Sequence, residues 1–212
     1  MRNCPAKLHS IRGVMGCCFL LEDGDRSVMI DTGLFGEMVL IRRLFHRLNL
    51  APQSLAAVLL THGHLDHAGN LAQLKQWTAA KIYAHPNEQA HIDGTYPYQG
   101  VNRWCGRLEA AGRKAFGYRA AKIDDFLSDG QMLPFWGGLQ VVHLPGHTLG
   151  HMAYWMPGAG VAFVGDTLFA LGCGRMFEGT PEMMWESLSK LAALPDETVI
   201  YCGHEYTEAN AR

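Results

Sequence analysis

The sequence predicts an α/β fold of two mixed sheets, each faced by outer helices. Three observations point there. Short apolar strands come in runs, helical stripes fall between and after those runs, and several strands end in polar residues that could gather on one sheet edge. A doubly wound sheet would alternate strand and helix throughout, which this chain does not.

The elements follow in order. Residues 17–21 and 27–30 are apolar runs around a turn at 22–25, a hairpin that ends in Asp31-Thr32-Gly33. Met38, Ile41, Leu44, Phe45 and Leu48 recur at helical spacing over 37–48. A short buried strand at 57–60 stops at Thr61, Leu71, Leu74 and Trp77 mark a second helix, and 81–84 is another strand. Residues 86–130 differ in kind: they are richer in Gly, Tyr and Arg, with weak amphipathic stretches around 103–116, and read as a helical insertion. Strands are expected at 139–144, 152–155, 161–164 and 198–201. Between the last two, 181–194 is a helix with Thr180 as N-cap and Pro181 at its first position.

At 212 residues the chain suits one domain, 1–212, carrying that insertion. Hydrophobic residues at 48% and charged residues at 18% are an ordinary globular balance, and a net charge of −2 offers no basic stripe for nucleic acid. The apolar stretch over 139–164 is broken by His143, Pro145, His147, His151 and Gly158, so no membrane span is expected. The first residues hold no apolar run of signal-peptide type, which points to the cytoplasm. The 6 cysteines show neither C-x-x-C pairs nor framework spacing and are expected as reduced thiols.

Placement makes the histidines informative. Thr61-His62-Gly63-His64-Leu65-Asp66-His67 directly follows a buried strand. Side chains two apart on a strand share a face, so His62 and His64 can point together, and Asp66 and His67 can turn toward them from a helix start. A solvated polar loop is the plain alternative. The apolar flanks argue against it, because burying such a cluster costs too much unless it binds metal. His147, Asp166 and His204 each follow a further strand of buried character, so all seven groups can converge. Seven N/O donors suit two borderline divalent ions with positions left open for water: zinc first, with iron or manganese as alternatives.

This H-x-H-x-D-H run, followed in order by His147, Asp166 and His204, resembles the metallo-β-lactamase superfamily over most of the chain. The resemblance implies an αββα sandwich, with His62, His64 and His147 on one metal, Asp66, His67 and His204 on the other, and Asp166 bridging. It also implies hydrolysis by activated water, with Asp66 as the catalytic proton acceptor. The segments 165–169, 172–180 and 204–207 closely resemble glyoxalase II, the hydroxyacylglutathione hydrolase family. That likeness implies a small-molecule thioester substrate of the S-acyl-glutathione type, contacted by Arg175, Phe177 and Tyr206. Lactone, ester or β-lactam hydrolysis and a mono-iron sulfur dioxygenase are the alternatives on the same scaffold. Where many members have tyrosine, Phe177 keeps the ring without the hydroxyl. Members also carry a C-terminal helical domain with further basic contacts, whereas this sequence runs only 8 residues past His204 (212 − 204). The gap from His67 to His147 is 80 residues (147 − 67), longer than in glyoxalase II.

Other residues carry weaker expectations. Asp31 is a candidate to orient a metal-bound group, with simple turn chemistry as the alternative, and His151 and Thr148 are candidates to orient His147 or a sheet neighbour. His143 is expected to support a ligand or to pack rather than to ligate. His9, His46, His85 and His91 read as ordinary surface or partly packed residues. Cys173 reads as packing near the cleft, since no activating base is indicated beside it.

Overall fold

A computed structural model of the chain describes residues 7–95, 98, 102–115 and 117–212; Cys4 and Phe116 lie outside this set. The first sheet is built from β1 (Lys7–Arg12), β2 (Cys17–Asp23), β3 (Arg26–Ile30), β4 (Leu55–Leu59), β5 (Lys81–Ala84) and β6 (Asp125–Phe126), in that spatial order. β1, β2 and β3 pair antiparallel, and β3 through β6 pair parallel. The second sheet has the order β13-β10-β9-β8-β7, formed by β7 (Met132–Leu133), β8 (Leu139–His143), β9 (Met152–Met156), β10 (Val161–Gly165) and β13 (Val199–Cys202). Its pairings are antiparallel except for β10 with β13. A small hairpin, β11 (Leu168–Phe169) with β12 (Gly172–Cys173), leads out of β10.

The period-2 alternation of each strand sorts its residues into layers. Phe19, Leu21, Val28, Ile30, Ala57 and Leu59 point inward and meet Val141, Met152, Tyr154 and Phe163 from the other sheet. Their neighbours Leu20, Met29 and Val58 point outward instead. There they pack on Ile41 and Phe45 of α1 (Met38–Leu48) and Leu71 and Leu74 of α3 (Leu71–Thr78). On the far side Ala153, Ala162 and Val164 receive Leu191 of α6 (Pro181–Ala192). The order is therefore helix, sheet, sheet, helix. Each fully buried Leu or Phe is worth about 1.5–3 kcal/mol of transfer free energy, so the interleaved centre fixes the registers that carry the site.

α6 starts as the sequence predicts: the Thr180 hydroxyl accepts from Met183 N–H, and Pro181 opens the first turn. Within 86–130 stand α4 (Glu88–Asp93) and α5 (Arg103–Ala115). The edge strand β1 was not expected. Its sequence KLHSIR carries one buried residue, Ile11, so no alternating apolar signal marks it. No helix among the described residues is long and apolar enough to cross a membrane.

Candidate metal centre

Strand direction collects the candidate ligands. β8, β10 and β13 run the same way, and His147, Asp166 and His204 lie just beyond their C-terminal ends. Facing them across the sandwich, β4 leads into His62 and His64, and the single-turn α2 (Leu65–Ala68) presents Asp66 and His67. His62, His64, His67, His147, Asp166 and His204 are all buried, while Asp66 keeps a quarter of its side chain open to solvent.

Ligand-capable atoms of His62, His64 and His147 lie within 4.8 Å of one another, as do those of Asp66, His67 and His204. Asp166 stands between these groups. Its carboxylate is 3.1 Å from His204 Nε2, 3.3 Å from His67 Nε2 and 3.7 Å from His147 Nε2. Within each group one nitrogen pair lies close, His64 Nδ1 with His147 Nε2 at 3.0 Å in the first and His67 Nε2 with His204 Nε2 at 3.3 Å in the second.

Each imidazole commits one nitrogen outward and turns the other toward this centre. His67 Nδ1 donates to Asp31 Oδ2 at 2.8 Å, His147 Nδ1 donates to the Arg175 carbonyl at 2.7 Å, and His204 Nδ1 donates to the Met15 carbonyl. His64 Nε2 meets the Tyr98 hydroxyl at 2.5 Å. Thr61 Oγ1 gives its proton to Asp31, so it accepts from His62 Nδ1 and leaves a lone pair on His62 Nε2. Among the described residues that nitrogen and Asp166 Oδ1 are buried without a hydrogen-bond partner, the condition a metal ligand would be in before its ion binds. The donor set and these orphaned atoms fit divalent metal.

The electrostatics agree with that fit. Burial, reinforced by neighbouring imidazoles, pushes His62 and His64 well below the usual histidine range, which keeps them in the neutral form that ligates. Burial would raise Asp166, but His67 and His204 outweigh it and hold the carboxyl well down. Burial also opposes charge on His67, yet Asp166, Asp31 and Asp66 lift it well above its ordinary value. Negative and positive groups are thus packed around a spot where a cation would replace protons.

A cleft of ≈ 430 Å³ opens over the cluster. Asp66, His147, Asp166 and His204 line its floor, and Met15, Leu34 and Phe169 form apolar wall. Arg175, Phe177 and Tyr206 all line it too. The Arg175 guanidinium lies 5.1 Å from the Phe177 ring centre and donates to Asn102 Oδ1 at 2.7 Å, while Tyr206 stacks on His204 at 4.9 Å.

Several expectations need correction. Of the two partners open to His151, it takes the sheet neighbour and not His147: its Nε2 accepts from Asp166 N–H at 3.0 Å and its Nδ1 pairs with Thr167, so it braces the Asp166 turn at the end of β10. Thr148 bonds to Glu88 instead. His91 is fully buried, 2.9 Å from Glu178. Cys173 is exposed rather than packed, and Cys105 is the cysteine that lines the cleft. Asp31 does hold His67 and also accepts from Thr61 N–H. Tyr98, Asn102, Glu88 and Glu178 escaped the sequence reading. The first three are isolated polar residues with no motif spacing that only the packing of 86–130 brings to the site, whereas Glu178 lies inside the 172–180 segment without a role assigned to it there.

With this geometry in place, the comparisons with known proteins assign the class. The family model described as the metallo-beta-lactamase superfamily matches residues 11–204, and the chain belongs to that superfamily. A hydroxyacylglutathione hydrolase of Maricaulis maris (strain MCS10) is 45% identical over 160 residues, covering 75% of this chain and 52% of that protein. One from Shewanella sp. (strain ANA-3) is 38% identical over 199 residues, covering 92% of this chain and 59% of its own length. The chain thus spans about half to three-fifths of the length of the curated relatives it matches. Among solved structures, the BLEG-1 B3 metallo-beta-lactamase superposes with TM-score 0.76 at 26% identity, covering 93% of this chain and 91% of that one. TTHA1623 in a di-iron-bound form gives TM-score 0.71 at 31% identity, covering 95% and 96%.

Proposed function

We propose that the chain is a metal-dependent thioester hydrolase acting on S-acyl-glutathione substrates of the S-lactoylglutathione kind. The observation that carries the reading is the common orientation of five imidazoles around two carboxylates. His62, His64 and His147 would hold one ion, Asp66, His67 and His204 a second, and Asp166 would contact both. Zinc is the first expectation and iron the next, since a relative at 31% identity is described as di-iron-bound. Divalent ions bound there would acidify water toward neutral pH and polarise the acyl carbonyl.

The chain's own residues supply the rest. Asp66, the most solvent-open of the seven groups, faces the cleft floor and accepts the proton that water gives up as its oxygen adds to the acyl carbon. The carbon–sulfur bond then breaks, and the departing thiolate is protonated from solvent. Arg175, held in place by Asn102, pairs a substrate carboxylate, and Phe177 and Tyr206 cover its peptide-like part. The naming of the relatives as hydroxyacylglutathione hydrolases supports the choice of thioester.

Likeness to a B3 metallo-beta-lactamase favours a second reading, β-lactam or lactone hydrolysis. Steady-state kinetics on S-lactoylglutathione, a lactone and a β-lactam separate the two. Thioester turnover should dominate, and Arg175→Ala should raise KM by about tenfold with little change in kcat, the loss of one exposed charge-assisted contact. A lactone or β-lactam turned over far better, with thioester kinetics indifferent to Arg175, would overturn the thioesterase assignment.

A further inference from the structure

Glu88 opens α4 and is completely buried, an unusual place for a carboxylate. Burial pushes its carboxyl up, partly offset by His91 and by the bonds it accepts. Both oxygens are spent on the candidate metal loops. Oε2 accepts from Gly63 N–H at 2.6 Å, the peptide between His62 and His64, and Oε1 accepts from Thr148 Oγ1 at 2.8 Å, next to His147.

Two glycines make this approach possible. A Cβ on Gly63 would stand 2.8 Å from the Glu88 carbonyl oxygen and 2.6 Å from His91 Cβ. One on Gly150 would stand 2.5 Å from Glu88 Oε1. The same helix continues the bracing: His91 Nε2 is 2.9 Å from Glu178 Oε1, and Glu178 Oε2 accepts from Leu149 N–H at 2.8 Å.

We infer that Glu88 is a positioning residue that locks the His62–His64 loop to the His147 loop and so sets the geometry of the three-histidine metal group. Resting on the metal-centre reading above, this adds a residue outside the ligand set that tunes one group and not the other. The link to the second group is absent from its bonds: no hydrogen bond of Glu88 reaches Asp66, His67 or His204 among the described residues.

Cobalt(II) titration followed by ligand-field absorption tests this. A His204→Ala chain reports the three-histidine group, and a His64→Ala chain reports the second. Glu88→Ala should weaken cobalt binding at least tenfold on the His204→Ala chain and leave the His64→Ala chain within about twofold, in the range that partners of metal ligands typically control. Glu88→Gln should recover most of the loss, because its amide oxygen can accept from Gly63 N–H while the Thr148 hydroxyl turns to accept from the amide nitrogen. Should Glu88→Ala fail to fold, Thr148→Val removes one of the two bonds and should weaken only the His204→Ala chain, by about threefold. Equal weakening on both chains, or none on either, overturns the inference. Absence of cobalt binding by the unmodified protein would instead overturn the metal-centre reading itself.

Discussion

Asp66 is the residue on which the proposed chemistry turns. It sits in the first turn of α2, its Oδ2 is 3.4 Å from His204 Nε2, and it is the candidate ligand that solvent reaches most easily. Asp66→Asn keeps shape and volume but removes the proton acceptor. kcat should fall by about 10²-fold or more, the usual worth of positioned acid–base catalysis, while circular dichroism and thermal unfolding stay near those of the parent. Near-parental kcat with metal fully bound would contradict the role. The residue scale is also where the sequence was most readable. His62, His64, Asp66 and His67 are adjacent in the chain, and two-residue spacing at a strand end already places their side chains together. Tyr98 on His64 and Glu88 on Gly63 could not be read in the same way, because those contacts depend on how a separate segment folds back.

At the scale of elements, the segment between β5 and β6 must return to the sheet with its ends fixed. Asp124 closes it. Lys75 Nζ donates to both carboxylate oxygens, at 2.5 and 2.6 Å, and Ile82 N–H donates to Oδ2 at 2.8 Å. Burial pulls the carboxyl up, but Lys75 and the Ile82 amide outweigh it, so its folded value lies below its ordinary one. A depressed carboxyl contributes stability that is present above the unfolded value, about 3.9, and is lost as pH falls through the folded value. Asp124→Asn should therefore cost about 0.5–1 kcal/mol at pH 7, near the low end for a charged hydrogen bond because the pair is partly open to solvent. In urea unfolding the gap should shrink at pH 3, and an undiminished gap would refute the linkage. Elements with a strong period were legible: the residues of α1, β5 and α6 follow their apolar spacing closely. β1, the two-residue strands β6, β7, β11 and β12, and the short α7 (Thr207–Asn210) were not, because their existence rests on a neighbour's free edge or a turn and not on a pattern of their own.

For the whole molecule, two sheets pressed face to face bring four strand ends onto one rim, and the central claim is that this rim binds metal as a pair of ions. The polar cluster is costly to bury on its own: among the described residues His62 Nε2 and Asp166 Oδ1 lack hydrogen-bond partners, and rings and carboxylates crowd within 4.8 Å. Two cations would satisfy those atoms together. The most direct test is elemental analysis of protein saturated with zinc and then freed of loosely held ions, run beside His204→Ala. The account predicts about two ions per chain, falling to about one in the variant. One ion per chain in the fully loaded parent, unchanged by His204→Ala, would contradict it.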